Sequence, residues 1–260
     1  MKRLVAIVVG VSLSVCGCVH VLDAASRTAG QTIGESVGTA VGDRVVRGLS
    51  PMVMTWYTNS LFAMAFGSGG YAVGETDYEP GEWTRWRWSG DNDEGWLERA
   101  YLGPDGDREW WRVKLYDADE DESFVVEGLF TADLGELLRM RRQFPGDEEP
   151  VEVPVQKDQY YVPPTTLTDE SIEGAKVETS DVTVPAGTFT ADHIRFGSAQ
   201  GGTWEWWLTD AVPGSIVMYA NRAGSQSAGE PDEDAAFDPH DYQMVLVDFG
   251  DGAESMLGVK

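Results

Sequence analysis

The chain has 260 residues, with 44 acidic against 19 basic side chains and a formal net charge of −25. That balance repels phosphate backbones and anionic headgroups alike, which excludes nucleic-acid binding and polybasic attachment to a membrane. A hydrophobic content of 42%, with 11% aromatic residues, separates it from disordered chains of similar charge and calls for a packed core.

The first residues, MKRLVAIVVGVSLSVCGCVH, place Lys2 and Arg3 ahead of an apolar run from Leu4 to about Val15. A bilayer core needs ~20 apolar residues, so this shorter run reads as the h-region of a signal peptide. Its end, with Val15, Cys16 and Gly17 before Cys18, resembles the lipobox of bacterial lipoproteins. The resemblance implies cleavage after residue 17, lipidation of Cys18 and a membrane anchor through that lipid. Val19 as the next residue points by the same resemblance to the outer membrane, facing the periplasm. Both cysteines fall in this segment, so the exported domain is expected to fold without disulfides or thiolate metal sites.

Residues 18–50 form a tether in which Gly30, Gly34, Gly38 and Gly42 recur every four residues. On a helix they would line one smooth face, open to close approach by another backbone. Two readings stand: a glycine-zipper helix that oligomerises or lies against the membrane, or a flexible link to the anchor. Glu35 and Asp43 oppose deep insertion in lipid. Residues 51–70 read as an apolar helix, started by Pro51 and stopped by the glycines from Gly67. Packing on the body of the domain is favoured over residence at a membrane interface, with Asn59 on an edge.

From residue 71 to 260 the pattern turns to strands. Thr84, Trp86 and Trp88 alternate with Arg85 and Arg87, the period of a half-buried strand. WLERAYL, EWWRVKLY and SFVVEGLF continue the pattern between acidic turns. LLRMRRQF is read as a strand, and EPVEVPV as a short one limited by Pro150 and Pro154. KDQYYVPPTTLTDESIEG reads as a loop or lid. KVETSDVTV and FTADHIRF flank a Pro-Ala-Gly-Thr turn and form a hairpin. GGTWEWWLTD, VPGSIVMYA, YQMVLVDFG and ESMLGV follow as strands, with an acidic loop from Ala223 to Asp241. About ten short strands predict a mainly β fold, a single strongly curved antiparallel sheet with the N-terminal helix on or near it.

Val184, Pro185, Ala186, Gly187 and Phe189, then Trp207, Val212, Pro213, Gly214 and Val217, resemble a pattern in a group of bacterial envelope lipoproteins. The run from Pro80 to Trp88 resembles the first strand of that group. The resemblance implies the half-barrel fold shared by periplasmic lipoprotein carriers, and it assigns no ligand-binding residues.

Tryptophan is the most suggestive residue type. On a curved sheet, Trp86 with Trp88 and Trp204 with Trp206 would share faces and line a concave surface for a lipid or acyl chain, or else simply fill the core. The acidic turns at Asp91 to Gly95, Asp117 to Glu122 and Glu230 to Asp234 lack the complete calcium loop and read as solvated turns. No nucleophile elbow or zinc-protease motif surrounds His20, His193 or His240, so neither an enzyme nor a cofactor or metal is expected. Two functions follow as expectations: a binding or carrier module for a hydrophobic ligand, or an assembly lipoprotein oligomerising through its glycines or docking an envelope partner.

Overall fold

The computed structural model describes residues 51–67, 70–73, 77–90, 94–116, 123–157, 159–197, 202–222 and 242–258. Cys18 and the glycines Gly30, Gly34, Gly38 and Gly42 lie outside the described residues, as do the loop 223–241 and most of the acidic turns.

Helix α1 (Pro51–Phe66) and the short β1 (Tyr71–Ala72) lead into a meander of β2 (Trp83–Ser89), β3 (Glu94–Asp105), β4 (Arg108–Tyr116), β5 (Ser123–Thr131), β6 (Leu137–Gln143) and β7 (Val151–Val153). A crossing segment carries β8 (Thr165–Thr166) and α2 (Asp169–Gly174). The second meander is β9 (Lys176–Val184), β10 (Gly187–Gly197), β11 (Thr203–Leu208), β12 (Ile216–Arg222) and β13 (Tyr242–Gly250). The fold is mainly β. Eleven strands form one antiparallel sheet in the order β7-β6-β5-β4-β3-β2-β13-β12-β11-β10-β9, so the first and last long strands meet in the middle. The crossing segment runs between its two edges, and β8 pairs with β1 in parallel.

Period-two patterning divides the sheet into two unlike faces. The inner face carries the main core: Trp86 and Trp88 of β2, Leu97 of β3, Trp111, Val113 and Leu115 of β4, and Phe130 of β5. Helix α1 lies over this half. Tyr57 meets the Phe124 ring edge-on at 5.0 Å, Phe62 meets Phe130 at 5.4 Å, and Phe66 meets Trp111 at 5.5 Å. The helix is apolar around its circumference because the crossing segment covers it from the other side. Tyr161 of that segment stacks edge-on against Phe62, and Asn59 donates to the Gln159 carbonyl.

The outer face is built on charge. Cross-strand pairs run Arg85–Glu98, Glu98–Lys114, Arg112–Glu127, Glu127–Arg141 and Arg141–Glu152, so opposite charges alternate from β2 to β7. A slip of one residue would send these charges into the apolar face, so the row also fixes the register.

Three expectations need correction. The segment from Pro163-Pro164 onward is not only a loop, since it contains β8 and the one-turn-plus α2, capped by Thr168 accepting from the Ser171 amide. VPGSIVMYA becomes a strand only at Ile216, because Val212 to Ser215 turn with Gly214 at φ 68° and Ser215 at φ 60°. ESMLGV is not a strand at all. Residues 251–258 run instead across the outer face. The Ala253 amide donates to the Gly81 carbonyl, Arg112 donates to the Glu254 carbonyl, and the Met256 amide and Ser255 hydroxyl donate to Glu127. Arg141 donates to the Leu257 carbonyl, so the charge row satisfies the segment's backbone in place of a neighbouring strand.

Candidate functional site

All four tryptophans singled out in the sequence project from the inner face. Trp86, Trp88 and Trp206 are fully buried, while Trp204 is half-buried. Sheet register explains how residues far apart in the chain are brought together. One row across the strands reads Trp88–Met244–Tyr219–Trp206–Ile194, and the next reads Tyr242–Asn221–Trp204–Phe196. Tyr71 of β1 packs on both Trp204 and Trp206, at 5.3 and 6.5 Å between ring centroids. Trp86 lies one row further along, opposite Leu97 and Leu246, and donates from its indole nitrogen to the Ile216 carbonyl.

The two halves of this face differ in how their polar aromatic atoms are satisfied. Beneath α1, Tyr161 bonds the Leu134 carbonyl at 2.7 Å, and Tyr78 bonds both Thr84 and Arg99. On the side toward β13–β11, Trp88 Nε1, Trp206 Nε1 and Tyr242 Oη are buried without a hydrogen-bond partner among the described residues. Each such group costs about 1–3 kcal/mol. Burial in this apolar layer pushes the Tyr219 and Tyr242 hydroxyls far above the ordinary tyrosine range.

Arg99 joins the halves and was not singled out in the sequence. It shares the inner face of β3 with Leu97 and Tyr101, is 1% exposed, and has no carboxylate partner among the described residues. Its guanidinium donates to the Ala65 carbonyl at 2.5 Å and to the Tyr78 hydroxyl at 3.0 and 3.2 Å. The rings of Tyr78, Trp86 and Phe66 surround it at 4.9, 5.2 and 5.7 Å. Ala65 is in the last turn of α1, where unsatisfied carbonyls carry the negative end of the helix dipole. Arg99 therefore caps the helix and ties it to the sheet. Gly214 closes the box, since a Cβ there would lie 2.5 Å from the Tyr78 ring and 2.6 Å from the Arg99 guanidinium. The signal in the sequence was an arginine at an inward position of WLERAYL, legible only once the strand's facing is known.

Two glutamates anchor the outer face. Burial pushes the Glu98 carboxyl up, but the Arg85 hydrogen bond and the charges of Lys114 and Arg112 outweigh it and hold the group below the usual range. Glu205 behaves alike: burial raises it, and the His193 hydrogen bond with the Arg195 charge more than offsets that. His193 Nε2 lies 2.7 Å from Glu205, and the imidazole stacks on Trp207 at 4.4 Å. This places His193 beside the Glu205 ion-pair cluster, with no serine, threonine or cysteine hydrogen-bonded to it among the described residues.

The fold and this site define a class: an open antiparallel sheet with one aromatic face, partly covered by an apolar helix. No family model and no curated protein matches the chain in sequence. Among solved structures it is similar to that of the Pseudomonas aeruginosa MucA/MucB complex, at 9% identity and a TM-score of 0.42, covering 70% of this chain and 56% of that one. It is also similar to a crystal structure of MucB, at 10% identity and a TM-score of 0.40, covering 70% and 57%. The chain thus spans little more than half the length of these structures. Among the described residues no helix is long and apolar enough to cross a membrane.

Proposed function

We propose that the protein is a non-catalytic binding module of the bacterial envelope, anchored through Cys18, whose inner face receives a hydrophobic ligand such as a lipid acyl chain. On this reading the sheet acts as a half-barrel, α1 together with β1, whose Tyr71 lies on Trp204 and Trp206, is its removable cover, and Arg99 is the tie that holds the helix in place. The observation that carries it is the aromatic surface formed by Trp88, Tyr219, Trp206 and Trp204 beside an apolar helix fastened at its C-terminus by one buried arginine. Ligand entry needs α1 or the crossing segment to move, since Trp88 and Trp206 are closed to solvent in this state.

The test is mass spectrometry of organic extracts from the full chain purified from envelopes. A stoichiometric lipid, reduced in a folded Trp204→Ala variant, is the expected result. A protein free of lipid, with its sheet intact, counts against the reading. The spacing of Gly30, Gly34, Gly38 and Gly42 favours a second role in assembly, which predicts oligomers that disappear when residues 19–50 are removed.

A further inference from the structure

The two edges of the sheet are protected to different degrees. β7 is three residues long and sits between Pro150 and Pro154, which denies a neighbour both length and donors. β9 is nine residues long, contains no proline and pairs only with β10 among the described residues. It precedes the two-residue Pro185-Ala186 turn, which makes Val184 and Gly187 a hydrogen-bonded pair. Alternation then directs the amides and carbonyls of Val182 and Ser180 toward β10, and those of Thr183, Asp181 and Thr179 away from the sheet.

The side chains agree with this assignment, because the closely spaced non-hydrogen-bonded pairs are those whose side chains meet. Thr183 bonds Thr188 at 3.0 Å, Thr190 donates to Asp181 at 2.8 Å, and Thr179 donates to Asp192 at 2.7 Å. Val177, Glu178, Thr179, Asp181 and Thr183 are exposed along the strand. Its charges are Glu178 and Asp181, with Asp192 beside them, and the one cation, Lys176, is bound to Asp192 at 2.8 Å.

We propose that the free edge of β9 is a docking site that accepts, as a twelfth strand, an extended segment of a partner protein with basic side chains at alternate positions. Main-chain bonds to Thr179, Asp181 and Thr183 supply the attachment, and the acidic side chains select the sign of the partner's charge. A second copy of the chain is disfavoured as occupant, because each copy carries −25 and presents the same acidic edge. This surface is separate from the aromatic face, so the proposal does not depend on the lipid reading.

Residue-resolved hydrogen exchange on the full chain tests it, with a capped nine-residue probe of alternating lysine and valine at low ionic strength. In the free protein the amides of Thr179, Asp181 and Thr183 exchange fast while those of Ser180 and Val182 are slow. The probe is expected to slow the three fast amides by about tenfold or more at saturation. The same peptide N-methylated at alternate residues, or carrying glutamate in place of lysine, leaves them fast. A Thr179→Pro variant, which removes an outward amide together with the Thr179–Asp192 side-chain bond, loses the protection at Asp181 and Thr183, and the N-methylated probe decides the matter if that variant does not fold. The proposal is overturned if the three amides are slow without probe at low protein concentration, or slow as the protein is concentrated alone, which would mean self-pairing. It is also overturned if the lysine probe leaves them fast, or if its N-methylated form protects equally.

Discussion

Glu98 shows how this chain tolerates buried charge. Its carboxylate is 4% exposed and touched by Arg85, Arg112 and Lys114, so each partner's charge is answered. Replacing it, Glu98→Gln, strands three cations and is expected to cost ~3 kcal/mol in urea unfolding at neutral pH. Its folded pKa lies below the unfolded value, so its contribution is complete above the usual glutamate range and is lost as pH falls through the folded pKa. The deficit of Glu98→Gln should therefore shrink on acidification, and a deficit constant from pH 7 to pH 2 would contradict the assignment. Gly214 is a second residue with a single solution: at φ 68° and against Tyr78 and Arg99, Gly214→Ala should lower stability by about 2 kcal/mol or more. Of these residues, the sequence made legible that Trp86, Trp88, Trp204 and Trp206 lie in strands as same-face pairs. It could not show that register joins Trp88 to Trp206 through Met244 and Tyr219, because strands from opposite ends of the chain meet at the β2–β13 pair.

Among elements, α1 and the strands of the first meander were legible from apolar runs, alternation and turn residues, and Pro51 marks the helix start as expected. The C-terminal segment was not. ESMLGV has the apolar content of a strand, but its backbone is satisfied by Arg112, Glu127 and Arg141, side chains of three different strands. Pattern within the segment carries no trace of those partners. Removing residues 252–260 should expose the buried Glu127 and the apolar patch of Ala100, Leu102, Trp110 and Leu129, and lower the melting temperature. An unchanged melting temperature would mean that the segment only rests on the face. For α1, Arg99→Met removes the cap on Ala65 while keeping an unbranched apolar side chain. It should cost about 2 kcal/mol and speed hydrogen exchange in the helix before it affects the sheet.

At the scale of the whole molecule, charge and greasy surface are segregated. The buried glutamates Glu98 and Glu205 sit in cation clusters on the outer face, and the inner face holds the aromatic rows. The net charge of −25 remains as self-repulsion, so the melting temperature should rise as KCl is added, and a fall would mean that local ion pairs outweigh it. The central claim is that α1 with β1, tied to the sheet by Arg99, closes off a surface meant for a hydrophobic ligand. It is tested most directly by titrating the full chain and its Arg99→Met variant with a brominated long-chain fatty acid and following tryptophan fluorescence. The account predicts saturable quenching in both, with tighter binding in the variant because less free energy is needed to displace the helix. No quenching in either protein, each still folded by circular dichroism, would contradict it and leave the tryptophan rows as core.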